Sequence, residues 1–231
     1  MSNGPNSSAV ESSATQGAYS TLRDLILTGE LAPGEKLKID NLREILGMGA
    51  APIREALSLL TSDQLVVRQD QRGFRAAETS IENFQEILEL RCQLESIALR
   101  QSIENTSDAW IEEVVLSHHR MTRAEVDPKK NFEILHKAFH LKLIGNCNSP
   151  VLLGFCSQLY DLNIRYRYIA SREVAYEARM VRDEHQCIVD AVIEGDFNKA
   201  NQLLCEPVSY THLRAHETDS YLVCRLLLEK T

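Results

Sequence analysis

A chain of 231 residues with 44% apolar content can form one large domain or two small ones. No stretch approaches the run of about 20 apolar residues that spans a bilayer, and the opening MSNGPNSSAVESSATQG lacks the charged start and apolar centre of a secretory signal; the expectation is a cytoplasmic protein with no membrane partner. The net charge of −8 is uneven: residues 16–80 hold 8 Lys/Arg against 9 Asp/Glu, a net of −1, and residues 81–206 hold 14 against 20, a net of −6.

Residues 1–16, rich in Ser, Asn and Gly, read as a disordered tail. Residues 17–79 then alternate short helices and turns. Tyr19, Leu22, Leu25 and Ile26 recur at helical spacing, and Gly29 with Pro33-Gly34 ends that helix. A second helix is predicted over Ile39–Leu46, followed by a tight turn at Gly47-Met48-Gly49. A third begins at Ala51-Pro52, where a missing proline N–H is harmless. Two β-rich runs, LVVRQ and FRAAE, flank the turn Asp70-Gln71-Arg72-Gly73 and read as a hairpin. Helix, helix-turn-helix and hairpin in this order describe a winged helix-turn-helix. Such a domain presents the N-terminal residues of its recognition helix to base edges in a major groove. Here these are Gly49, Ala50, Ala51, Ile53 and Arg54, and Arg54 is the one cation on that helix. Arg72, Gly73 and Arg75 on the wing are placed for the DNA backbone or a minor groove. The competing expectation for Arg54 is an ion pair with Glu55 or Asp63. A nearly neutral domain supplies the positive charge that phosphate contact needs only if its arginines share one face.

The strings G-x-L-x-P-G, L-x-x-x-L-G, P-I-R-E-A-L and the R-G-F of the wing, all within residues 28–78, resemble the DNA-binding domain of GntR-family regulators. The resemblance implies binding to operator DNA. One departure matters. The family places Ser/Thr-Arg-Thr ahead of its P-V-R-E-A-L, and that Arg reads a base. Here the stretch is Gly49-Ala50-Ala51. Loss of one bidentate Arg contact removes about 1–3 kcal/mol of discrimination, so readout is expected to lean on Arg54, the wing and DNA shape.

Residues 80–206 are helical in pattern throughout. Helices are predicted over 81–104, 107–125, 130–146, 150–170, 173–194 and 196–206, punctuated by Pro128, Asn146, Pro150 and Gly195-Asp196. Helices of this length make an antiparallel α-helical bundle, whose core is a place for ligand and metal sites. His136 and His140 stand at i and i+4, a spacing that lets two imidazoles bind one metal. His185 lies on a later helix, where it can face them. The plain alternative is structural histidines, because H-x-x-x-H arises often by chance. The strings EILELRCQLESIAL, LHKAFHLKLIGNCNSPVL and RDEHQCIVDAVIEGDFNKANQLL resemble the FCD effector domain of the FadR subfamily. That resemblance implies a divalent metal held by an Asp or Asn, a His four residues later, and two further histidines. The matching positions are His136, His140, His185 and Pro207. His136 replaces the acid, which makes the donor set imidazole-rich and favours Zn- or Ni-like ions. The resemblance further implies a small carboxylate effector, with Arg91 facing the pocket; a pair with Glu95 one turn on is the alternative. Arg165 and Arg167, set among Tyr160, Tyr166 and Tyr168, are further candidates for the effector.

Residues 208–231, VSYTHLRAHETDSYLVCRLLLEKT, resemble a translated sequencing-library adapter, in one block over Val208–Glu217 and a second over Leu222–Glu229. Residues 207–231 are therefore expected to be a non-native tail, leaving the FCD-like domain truncated where its fourth ligand belongs. The cysteines, Cys92, Cys147, Cys156, Cys187, Cys205 and Cys224, show no C-x-x-C pair and are expected as reduced thiols. The expected protein is mostly α: a ligand-responsive transcriptional regulator, a repressor, working as a homodimer on operator DNA, and not an enzyme. A metal-dependent enzyme on the bundle is the rival, although no acid stands in an H-E-x-x-H relation to the histidine pair. A winged helix used only for protein contacts is the third reading.

Overall fold

The fold is described from a computed structural model, which covers residues 7–123, 128–171 and 178–213. Two compact units divide the chain, Met1–Ser80 and Ile81–Thr231.

The first unit runs α1 (Ser7–Leu27), β1 (Lys36–Leu37), α2 (Ile39–Leu46), α3 (Ala50–Ser62), β2 (Val66–Gln69) and β3 (Gly73–Ala76). α1 begins well before the boundary expected from composition, so residues 7–16 are helical and do not form a disordered tail. Ala9 and Ala14 favour helix, and the Thr15 hydroxyl donates to Glu55 on α3 at 2.7 Å, which gives this stretch a tertiary partner. One turn on, Tyr19 Oη donates to Asp63 at 2.7 Å. Leu22 and Ile26 on α1 and Ile53, Leu57 and Leu60 on α3 are wholly buried, as expected for two helices packed along apolar stripes.

The wing is a three-stranded antiparallel sheet in the order β1-β3-β2. Arg68 pairs with Phe74 and Gln69 with Gly73 across the hairpin. β1 escaped the sequence pattern because two residues are too few to show alternation. Two glycines have required conformations: Gly47 caps α2 at φ 65, and Gly73 restarts the sheet at φ 88; both are left-handed geometries that a side chain disfavours.

The second unit contains α4 (Ile81–Glu104), α5 (Asp108–Thr122), α6 (Pro128–Leu143), a short 3₁₀ turn (Gly145–Cys147), α7 (Pro150–Ser171), α8 (Ala178–Ile193) and α9 (Phe197–Leu213). The helix expected over 130–146 stops at Leu143, because the chain turns through Gly145 to reach a left-handed Asn148. Starts follow local chemistry. Ser107 accepts from Trp110 N at 3.3 Å as the cap of α5, and Pro150 opens α7 behind Ser149, which accepts from Leu152 N. α4 packs on α7 and α9, α5 on α6 and α8, and α8 on α9. The core between them holds Leu99, Trp110, Met121, Phe139, Val189 and Ala200. α9 continues helically to Leu213; residues 214–231 of the adapter-like stretch lie outside the described residues. Among the described residues, no helix is long and apolar enough to cross a membrane.

Leu57 has no exposure, so Leu57→Ala is expected to cost about 2–5 kcal/mol through lost transfer energy and a residual cavity. Urea unfolding of the full chain checks this, with the loss confined to the transition that reports the first unit.

Candidate functional site

The recognition-helix face of the first unit is small and exposed at its start. Gly49 caps α3 in extended geometry without a side-chain bond, and Gly49, Ala51 and Arg54 are exposed. Ile53 is wholly buried. It belongs to the core, and its expected place among base-contacting residues is corrected. The two acids expected to compete for Arg54 are engaged elsewhere, Glu55 with Thr15 and Asp63 with Tyr19. Arg72 is exposed at the tip of the β2–β3 turn. Arg75 differs from expectation. Its Nη1 donates to the Gly34 carbonyl at 2.7 Å and its Nε to Gln69 Oε1 at 3.1 Å, so its guanidinium ties the wing to the turn ahead of β1. Arg68, exposed on β2, is a cation of the wing that motif matching passed over.

The second unit brings the three histidines together. The Nε2 atoms of His136 and His185 stand 2.8 Å apart, those of His140 and His136 3.1 Å, and those of His185 and His140 3.3 Å. All three residues are buried. Helical spacing aligns His136 and His140 on α6, and packing of α8 supplies His185. When the His136 Nδ1–H donates to Tyr160 Oη, 2.7 Å away, the inward Nε2 keeps its lone pair. Three lone pairs aimed at one point repel unless a cation sits among them. Donors about 2.0–2.1 Å from one zinc ion, at octahedral to tetrahedral angles, stand about 2.8–3.4 Å apart. The triangle fits that spacing, and these three residues are a group among the described residues able to hold a metal ion. Phe132 stacks on His136 with centroids 5.4 Å apart, and Phe139 meets His185 edge-on at 5.4 Å; both rings are buried and limit water around the nitrogens.

A charged network lies alongside. Arg91 Nε donates to Glu95 Oε1 at 2.8 Å, and Arg91 Nη1 to Asn163 Oδ1 at 2.8 Å. The guanidinium also stands over the Tyr160 ring at 4.7 Å, a cation–π contact. Glu95 Oε2 lies 3.8 Å from His140 Nδ1, too long for a hydrogen bond. Arg91 thus makes the pair with Glu95 that was the alternative expectation, and it does so buried. Tyr160 and Asn163, i and i+3 on α7, link the two groups. Asn163 gave no signal in the sequence beyond a polar residue in an apolar helix. Arg165 is buried on the same helix, where desolvation pulls its guanidinium down to about 10; at about 100° per residue it projects roughly 140° away from Tyr160. Arg167 falls among residues whose side chains lie outside those described. Pro207, the position at which the resemblance implied a fourth ligand, has no side-chain donor atom.

Arg91→Met leaves the Glu95 carboxylate buried without its partner and is expected to cost about 3–5 kcal/mol. Arg91→Met combined with Glu95→Leu is expected to recover most of that. Denaturant unfolding of both variants decides it, and a double variant as unstable as the single one contradicts the pairing.

Comparison with known proteins agrees with this layout. Residues 86–209 match the FCD domain, and residues 14–75 match the bacterial regulatory proteins of the gntR family. The chain is 30% identical over 194 residues to the HTH-type transcriptional repressor GlaR of Escherichia coli (strain K12), covering 80% of this chain and 88% of that one. It is 34% identical over 199 residues to the HTH-type transcriptional regulator BphR of Paraburkholderia xenovorans (strain LB400), covering 83% and 81%. Among solved structures, E. coli McbR/YncC superposes with a TM-score of 0.73 at 22% identity, over 94% of this chain and 99% of that one; at that identity the likeness speaks for the fold. These relatives are transcriptional regulators, not enzymes. With both halves matched in order, the chain belongs to the GntR family of DNA-binding transcriptional regulators, in the branch that carries an FCD domain.

Proposed function

We propose that this protein is a repressor that binds operator DNA as a homodimer and releases or tightens that grip when its helical unit takes up a small carboxylate beside a divalent metal. The observation that carries this reading is the convergence of three buried imidazole nitrogens next to a buried guanidinium. His136, His140 and His185 would hold the ion. With three protein donors, a four-coordinate ion keeps a position open for an exogenous oxygen. The all-imidazole set suits Zn- or Ni-like ions. When bound, the metal supplies a Lewis-acid anchor for an anionic ligand. Tyr160 orients His136 from behind, as outer-shell partners of metal histidines do. Arg91 is the cation best placed to receive a carboxylate, since a guanidinium takes one bidentately. An incoming carboxylate must first compete with Glu95, so binding and rearrangement of that pair are coupled.

On the DNA side, Gly49, Ala50 and Ala51 let α3 approach a groove closely, and alanine suits apolar contact with a thymine methyl. Arg54 and the wing residues Arg72 and Gly73 would supply backbone or base contacts. Recognition helices of a dimer would meet half-sites about one helical turn, roughly 34 Å, apart. The name of GlaR, a repressor, supports the sign of regulation. The carboxylate acts by population shift, through its different affinity for the DNA-binding and released states.

Two measurements test the reading. In fluorescence polarisation against operator DNA across a salt series, Arg54→Ala and Arg72→Ala are each expected to weaken binding. A lost phosphate contact lowers the log–log salt slope by about 1. Absence of any salt-sensitive, sequence-selective binding by the full chain would overturn the proposal. In thermal melts, Zn²⁺ or Ni²⁺ at about 100 times its Kd is expected to stabilise the protein by about 2.7 kcal/mol. His140→Ala and His185→Ala are each expected to abolish that gain, and a chelator to reverse it. A metal-induced gain that persists undiminished in both histidine variants would remove this site from the account.

A further inference from the structure

Two thiols meet beside the charged network, and neither the DNA-binding reading nor the metal site uses them. Cys92 follows Arg91 on α4, and Cys205 lies near the end of the described side chains of α9. They are 113 residues apart in sequence, yet Cys92 Sγ lies 3.9 Å from the Cys205 carbonyl oxygen and Cys205 Sγ 3.8 Å from that of Cys92. Each sulfur thus points across the α4–α9 contact at the other residue. Both are partly exposed, so a small oxidant reaches them. The other described cysteines differ. Cys147 and Cys156 are buried, and Cys187 is exposed.

We propose that Cys92 and Cys205 form a dithiol oxidation site, converted by a hydroperoxide into an intramolecular disulfide that staples α9 to α4. The Cys205 thiolate attacks one peroxide oxygen; the O–O bond breaks, Cys205 becomes a sulfenic acid, and the other oxygen leaves as an alcohol or water once protonated. The Cys92 sulfur then attacks the Cys205 sulfur. An S–S bond forms, the S–O bond breaks, and the hydroxide departs as water with the Cys92 proton. Two thiols lose two electrons and the peroxide gains them. The pair is divided for this chemistry. The interaction with the neighbouring Cys92 thiol holds the Cys205 thiol below its ordinary range, whereas that same interaction and burial push the Cys92 thiol up. A thiolate nucleophile beside a resolving thiol is the arrangement that redox-sensing cysteines adopt. Burial pushes the Cys156 thiol up to about 12, which keeps it protonated and unreactive.

Disulfides need their Cβ atoms about 3.5–4.5 Å apart, so this one would fix the α4–α9 contact at the residue next to Arg91. The test is peptide mapping by mass spectrometry of the full chain, with and without hydrogen peroxide, after alkylation under non-reducing conditions. The expected result is a cross-linked peptide pair containing Cys92 and Cys205, lighter by two hydrogens and released by dithiothreitol, while Cys187 remains alkylated in the unoxidised fraction. Cys92→Ser and Cys205→Ser are each expected to abolish the pair, and in Cys92→Ser the Cys205 sulfenic acid is expected to persist and be trapped by dimedone. Independent over-oxidation of each cysteine in the unmutated chain, or cross-links joining two chains instead of Cys92 to Cys205, would overturn the proposal. The unmutated chain alone decides the main point, so a folding defect in a variant does not blunt it.

Discussion

Taking a guanidinium and a carboxylate out of water costs several kcal/mol per ion unless their hydrogen bonds are met, and that requirement organises the helical unit. Arg91 and Glu95 are both buried in α4. One turn of helix sets them side by side, but a single pair leaves several guanidinium donors open. Asn163 takes one and the Tyr160 face shields another side. α7 must therefore pack against α4 in the register that delivers both residues. The same Tyr160 then reaches His136 on α6. A solvation demand on one helix thus fixes the approach of a second and orients an imidazole on a third.

The histidine triangle depends on that chain of contacts and on its apolar walls. Phe132, Phe139 and Tyr160 surround the imidazoles with rings, so few water molecules can compete for the nitrogens. In so dry a setting, convergent lone pairs are unfavourable by themselves and strongly attractive to a cation. The proximity of Glu95 to His140 adds negative potential on the outer side. Beside the triangle, the Arg91 guanidinium is already occupied by the internal Glu95 carboxylate.

The DNA-binding unit solves a different problem, because it lacks the basic surplus that nucleic-acid binding ordinarily exploits. Of its wing arginines, Arg75 is committed to the fold through Gly34 and Gln69. Arg54 on α3 and Lys36, Arg68 and Arg72 in the wing are exposed cations. Few exposed cations imply a modest electrostatic attraction to phosphate.

Apart from β1 and the opening turns of α1, the order of helices and strands was legible in the sequence because periodicity and turn chemistry act over a few residues. The Pro52 helix start, the Gly47 and Gly73 turns and the 81–104 helix are local matters of this kind. So is the alignment of His136 with His140, which four residues of helix guarantee. The dependence of Arg75 on Gly34, of Arg91 on Asn163 and of His136 on His185 spans 41, 72 and 49 residues. No spacing rule reaches that far. The meeting of Cys92 with Cys205 across 113 residues is of the same class. What the sequence by itself determined was which faces are apolar and where each element turns. Which polar groups meet inside was decided by helix packing alone, since the register of one helix on another follows from the combined shapes of both surfaces and from the need to pair every buried charge.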